Sequence, residues 1–169
     1  MQQEAINSLS QAANSMGGGA TAIQRAEIAQ SVGSILDGEL NVQERMIALE
    51  IIEALTSDKV DEVRHAVANK VAESTFLPLA IARKLATDIE DVALPVLELS
   101  PVLTDEILID VVESGLPASV NAIAKRSRVS PMVSDAIVET GQTAPIAQLI
   151  RNQGADISES TFFRALENH

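Results

Sequence analysis

The sequence predicts an all-α protein: about five short helical hairpins stacked as a solenoid, preceded by one N-terminal helix. Three observations carry this prediction. Apolar residues recur at helical spacing and never alternate for long. Helix-start signals recur at a nearly constant period. The apolar content is 46% of the 169 residues yet almost wholly aliphatic, with three Phe and no Trp, Tyr or Cys. Aliphatic side chains with plentiful Ala let short helices approach closely, and stacked pairs share a core that no single pair could build.

Taken in order, Gln2 to Met16 carries a narrow stripe of Ile6, Leu9, Ala13 and Met16 on an otherwise polar helix, ended by Gly17-Gly18-Gly19. Residues 1–19 are therefore a helix and a glycine hinge, and residues 20–169 the repeat domain. A second helix is expected from about Ala20 to Leu36, with Ile23, Ala26, Ile28, Val32 and Ile35 on a broad apolar face, before the Asp37-Gly38 turn. A third follows Asn41 as N-cap and carries Val42, Met46, Ile47, Leu49, Ile51, Ile52 and Leu55. So little polar surface predicts burial between neighbours.

From Ser57 onward the helices shorten and their starts repeat. Leu103-Thr104-Asp105, Val129-Ser130-Pro131 and Ile157-Ser158-Glu159 each place an aliphatic staple residue, a hydroxyl N-cap and a residue suited to the first helical position. The hydroxyls of Thr104, Ser130 and Ser158 are almost evenly spaced, and Phe76-Leu77-Pro78 stands one such interval before the first, with Pro78 in place of the hydroxyl. Earlier helices are expected at Val63 to Glu73, Val92 to Leu99, Ser119 to Arg126 and Ala144 to Asn152. The hairpins then fall at about 61–87, 90–114, 117–140 and 143–167, with a divergent pair at 20–56. Pro95 fits best in a first turn after Asp91, where a missing N–H costs little.

Asp58 to Ala72, DKVDEVRHAVANKVA, resembles the HEAT-repeat signature: an acidic turn, Val63-Arg64, then Ala and Val spaced down one helix. Further on, DVALPVLELSPVLTDEIL (91–108), AIAKRSRVS (122–130) and LIRNQGADIS (149–158) resemble a bacterial family of HEAT-like proteins known as domain of unknown function 2336. The resemblance spans roughly residues 41–168 and rests on motif order. It implies a curved α–α superhelix and no established activity. Members of that family often have longer chains, so it also implies a short member or the repeat portion of a larger protein.

Composition narrows the function classes. Twelve Lys and Arg against 24 Asp and Glu give a net charge of −12, unfavourable for general binding to nucleic-acid phosphates. Without Cys there is no disulfide, thiolate or Cys-ligated zinc chemistry. With neither a basic leader followed by an apolar run nor a membrane-length apolar stretch, a soluble cytoplasmic protein is expected. His65 is the one histidine away from the chain end, and no Ser or Asp is placed against it for nucleophilic catalysis. No metal-ligand spacing occurs. Glu90/Asp91 and Asp105/Glu106 fall at helix starts, where acids suit the macrodipole. The Gly17–Gly19 run has neither a preceding strand nor a following Lys-Ser or Lys-Thr, so it reads as a hinge and not as a phosphate loop. No catalytic residue, metal site or cofactor is expected.

Charge divides unevenly along the chain. Residues 1–62 and 89–115 each carry −7, residues 63–88 and 116–152 each carry +2, and residues 153–169 carry −2. The candidate binding feature is a basic ridge of Lys125, Arg126, Arg128 and Arg151 at equivalent ends of successive repeats; Arg64, His65, Arg83 and Lys84 of the other mildly basic repeat are secondary candidates. The competing reading of these charges is dipole complementarity and ion pairing between repeats. The favoured function is a non-enzymatic scaffold that binds another protein in bacterial signalling. The alternatives are a nucleic-acid-acting module like the HEAT-like DNA glycosylases and a binder of a small anionic ligand. The glycosylase alternative is weakened by the absence of Trp and Tyr, with Phe76, Phe162 and Phe163 expected in the core or an end cap. The N-terminal helix offers a route to a homodimer.

Overall fold

Side-chain caps satisfy first-turn amides at some helix starts, and the other helices begin without one. In the computed structural model, which describes residues 2–16 and 19–167, the helices are α1 (Gln2–Met16), α2 (Ala22–Ile35), α3 (Val42–Leu55), α4 (Asp61–Val71), α5 (Leu79–Ala86), α6 (Glu90–Leu99), α7 (Asp105–Glu113), α8 (Pro117–Ala124), α9 (Pro131–Glu139), α10 (Thr143–Arg151) and α11 (Glu159–Glu167). Thr21 with Gln24 and Asn41 with Glu44 form reciprocal capping boxes at α2 and α3. Ser130 Oγ accepts from Val133 N at 3.3 Å and Ser158 Oγ from Thr161 N at 3.2 Å, while Pro117 and Pro131 occupy first-turn positions that need no donor. Thr104 stands at the predicted cap of α7, but its hydroxyl bonds none of that helix's amides.

The helices pack as two rows. In the first row α2 contacts α4, α4 contacts α6, α6 contacts α8 and α8 contacts α10. In the second, α7 contacts α9 and α9 contacts α11; α5 leans on α6, and α1 covers α2 and α3. Among the described residues there is no strand, only an isolated parallel bridge between Val129 and Ala155. The core between the rows is aliphatic throughout, built from side chains such as Leu36, Ile52, Val67, Leu85, Leu97, Ile123, Ile137 and Leu149, and it contains no Phe. None of the helices formed by the described residues is long and apolar enough to cross a membrane.

Two glycines set close approaches. A Cβ on Gly33 would lie 2.7 Å from Lys70 Cβ, so the bare backbone of α2 lets α4 seat against it. A Cβ on Gly154 would lie 2.0 Å from the Ser127 carbonyl oxygen, where two successive connections run side by side.

Several expectations are corrected. The buried face of α2 is Ala29, Val32 and Gly33, and Ile23 is 73% exposed, because the contact with α4 is made through the small-residue side of the helix. On α1, Leu9 and Ala12 are buried while Ala13 is exposed; Gly17 and Gly18 of the expected hinge, and the side chains of Ile6 and Met16, lie outside the described residues. Helix α3 is not enclosed: Val42, Met46 and Ile47 are exposed, since its other face, through Ala48, Ile51, Ile52 and Leu55, already fills the core. Phe76, Phe162 and Phe163 are all exposed, the core being closed by smaller side chains. Pro95 lies in the interior of α6 and not in its first turn.

Candidate functional site

The four residues of the predicted ridge separate into two kinds. Lys125 ends α8, Arg128 lies in the connection that follows, and Arg151 ends α10; all three are exposed. The connections that carry or follow them are tied together. Val129 N donates to Gly154 O at 3.1 Å, Asp156 N donates to Val129 O at 2.9 Å, and Asn152 Nδ2 donates to Ala124 O and Arg126 O at 2.8 and 2.7 Å. These bonds tie together the connections of two consecutive hairpins that carry or adjoin the three exposed cations.

Arg126 turns the other way. Its Nη1 donates to Leu97 O and its Nη2 to Ser100 O, both at 2.7 Å, so it satisfies carbonyls at the C-terminal end of α6 in the preceding hairpin. Burial pushes its guanidinium below the usual arginine value, with Asp105 acting in the opposite direction. Asn152 does the same for α8, and Arg45 does it for α2 by donating to the carbonyls of Leu36, Gly38 and Leu40. Arg126 is thus a fastener between repeats and contributes little free charge to the edge.

A second set of fasteners lies at the starts of the first-row helices. Arg25 forms a fork on Asp58, with Nε–Oδ2 at 2.5 Å and Nη2–Oδ1 at 3.0 Å. Arg64 repeats the geometry on Asp88 at 2.7 and 2.9 Å, and its Nη1 donates to Asp58 O at 2.8 Å, which links the two forks. The hydrogen bonds from the guanidinium groups hold both carboxyls below the ordinary aspartate range, against a smaller opposing effect of burial. Arg64, a secondary candidate, is therefore engaged inside the stack, its side chain only 14% exposed. The sequence signal for this chain of ion pairs is the hydroxyl-Asp step at Ser57-Asp58, which recurs at Thr87-Asp88 in the equivalent place of the next hairpin.

His65 explains how Pro95 is tolerated. A proline at 95 removes the amide that would bond the carbonyl of residue 91, and His65 Nδ1 donates to Asp91 O at 2.7 Å in its place. With Nδ1 as donor, Nε2 accepts from Asn69 Nδ2 at 2.7 Å. Arg83 is exposed and reaches Asp110 only at 4.0 Å, and Lys84 Nζ donates to Ser57 Oγ. The structure therefore does not gather Arg64, His65, Arg83 and Lys84 into one site. Lys125, Arg128 and Arg151 are exposed in or beside the two connections that the Val129–Gly154 and Asn152 bonds tie together. No cluster of three or more His, Cys, Asp or Glu suited to a metal ion occurs among the described residues.

The profile of a family described as "Uncharacterised protein conserved in bacteria (DUF2336)" matches residues 92–169. Residues 92–169 are thus similar to that family. The matched stretch begins within α6 and takes in the last three hairpins, including Arg126, Asn152 and the exposed edge; the resemblance expected from residue 41 onward is established only from residue 92. No curated protein and no solved structure matches the chain.

Proposed function

We propose that this chain is a non-enzymatic protein-binding scaffold of the bacterial cytoplasm, serving signalling, built as a HEAT-like α–α superhelix. The observation that carries the reading is the division of labour among its cations. Arg25, Arg64 and Arg126 are engaged in fastening one hairpin to the next, whereas Lys125, Arg128 and Arg151 are exposed in or beside two connections that hydrogen bonds tie together. A rigid stack with an exposed charged edge suits an acidic segment of another protein, because the repeats supply a fixed spacing of cations at little cost in ordering. The N-terminal helix α1, docked on α2 and α3 through Leu9 and Ala12, is the proposed route to a homodimer if it exchanges between chains.

The test is affinity capture from native bacterial extract with the wild-type chain and with Lys125→Glu/Arg128→Glu/Arg151→Glu. The reading expects a retained protein that the triple variant loses. Equal retention by both would reject the edge as the binding surface, and no retention by either would reject the scaffold.

A further inference from the structure

The second row of helices is not evenly closed. Helices α7, α9 and α11 pack on one another in succession, whereas α3, α5 and α7 make no comparable contacts. Between α3 and α5 the interval is bridged by Arg45, whose guanidinium carbon stands 3.6 Å from the Phe76 ring centroid. Between α5 and α7 it stays open as a groove of about 460 Å³, across which Arg83 approaches Asp110 at 4.0 Å. Leu79 and Ala80 of α5 form one apolar wall and Ile107 of α7 the floor; Leu79 is 43% exposed there.

Charge selects the occupant. Of the seven acidic residues in 89–115, a segment without Lys or Arg, Glu106 and Asp110 of α7 line the groove, and Glu113 is exposed on the same helix. Arg83 alone reaches this rim from α5. An occupant must cover Leu79, Ala80 and Ile107 with apolar side chains and meet the rim with cations. Helices α5 and α7, of eight and nine residues, are about 12 to 14 Å long, which matches two to three turns of a helix laid between them.

We infer that the groove between α5 and α7 binds a short basic amphipathic helix of a partner protein. The inference rests on the reading of the chain as a protein-binding scaffold and names a second surface, opposite in charge to the Lys125–Arg151 edge. Apolar contact in the groove supplies affinity, and the acidic rim selects against anionic helices.

The test uses the full chain, isotopically labelled for amide NMR, and a probe peptide of about 14 residues with Leu at i, i+3, i+4 and i+7 and Lys elsewhere. Controls are a scrambled peptide of the same composition and a version with Glu for Lys. The expected result is shift changes centred on residues 79, 80, 83, 106, 107 and 110, with both controls weaker by at least about tenfold. Leu79→Asp and Glu106→Gln/Asp110→Asn, exposed positions whose folding the same spectra verify, should each weaken the basic peptide by a similar factor. Equal binding of the scrambled peptide, shifts centred elsewhere, or unchanged affinity of both variants would overturn the inference. A chain that captures a partner through its basic edge but fails the peptide test loses the groove and keeps the scaffold reading; failure of both assays rejects both.

Discussion

Arg126→Met separates a fastener from a surface cation most sharply. The substitution keeps an unbranched side chain of useful length but removes the two donors that reach Leu97 O and Ser100 O at 2.7 Å. Leu97 and Ser100 are themselves fully buried, so water has poor access to the carbonyls left behind. Each buried acceptor stripped of its partner costs about 1–3 kcal/mol, which sets a gross loss of roughly 2–6 kcal/mol. Relief of the cost of burying a guanidinium offsets part of this, leaving about 2–3 kcal/mol. For a chain of this size that lowers Tm by roughly 4–12 °C. The assay is thermal unfolding followed by circular dichroism at helical wavelengths, with Arg128→Met as the exposed control, expected within about 0.5 kcal/mol of wild type. A change at Arg126 no larger than the one at Arg128 would refute the role assigned to it.

Other outcomes follow from the same packing. Asp58 and Asp88 sit below their ordinary pKa in the folded chain, so they contribute stability above about pH 4 that is lost as pH falls through their folded values. Asp88→Asn should lower the urea midpoint at pH 7 and flatten its decline toward pH 3; an unchanged acid limb would contradict the Arg64–Asp88 fork. Gly154→Ala forces a Cβ to within 2.0 Å of Ser127 O and Gly33→Ala one to within 2.7 Å of Lys70 Cβ, so each should destabilise by about 1–3 kcal/mol, checked by chemical denaturation. His65→Ala should cost about 1–2 kcal/mol in the wild type and clearly less in Pro95→Ala, where an amide again serves Asp91 O. A double-mutant cycle without coupling would show that the histidine does not replace the missing bond.

Much of the fold was legible because helix starts are written locally. Asn41, Ser130, Ser158 and Pro131 announce the ends they occupy, and their spacing places the hairpins. Which face of a helix is buried was less legible, because neighbours decide it. Helix α2 buries its Gly33 side because α4 sits there, leaving Ile23 outside, and α3 exposes Val42 and Met46 although its composition suggests enclosure. Pro95 was misplaced for a related reason: the group that makes an interior proline tolerable, His65, lies on α4, two helices earlier in the chain.

The candidate edge was half legible. Periodicity found Lys125, Arg126, Arg128 and Arg151 as a group, but spacing within a connection does not say which cation turns inward. The free acceptors decide that: Leu97 O and Ser100 O draw Arg126 in, while Lys125 and Arg128 stay exposed. The forks of Arg25 and Arg64 escaped because each joins one hairpin to the next, a link visible in the sequence only as the repeated Ser57-Asp58 and Thr87-Asp88 step.

The central claim is that stability and partner binding reside in different cations of the same two hairpins. Its most direct measurement is retention of the captured partner at low temperature by Arg126→Met and by Lys125→Glu/Arg128→Glu/Arg151→Glu, both verified as folded. Arg126→Met, though less stable, should retain the partner as wild type does, and the triple variant should lose at least about tenfold of it. Loss of the partner by Arg126→Met with full retention by the triple variant would show that the buried arginine, and not the exposed cations, carries partner binding.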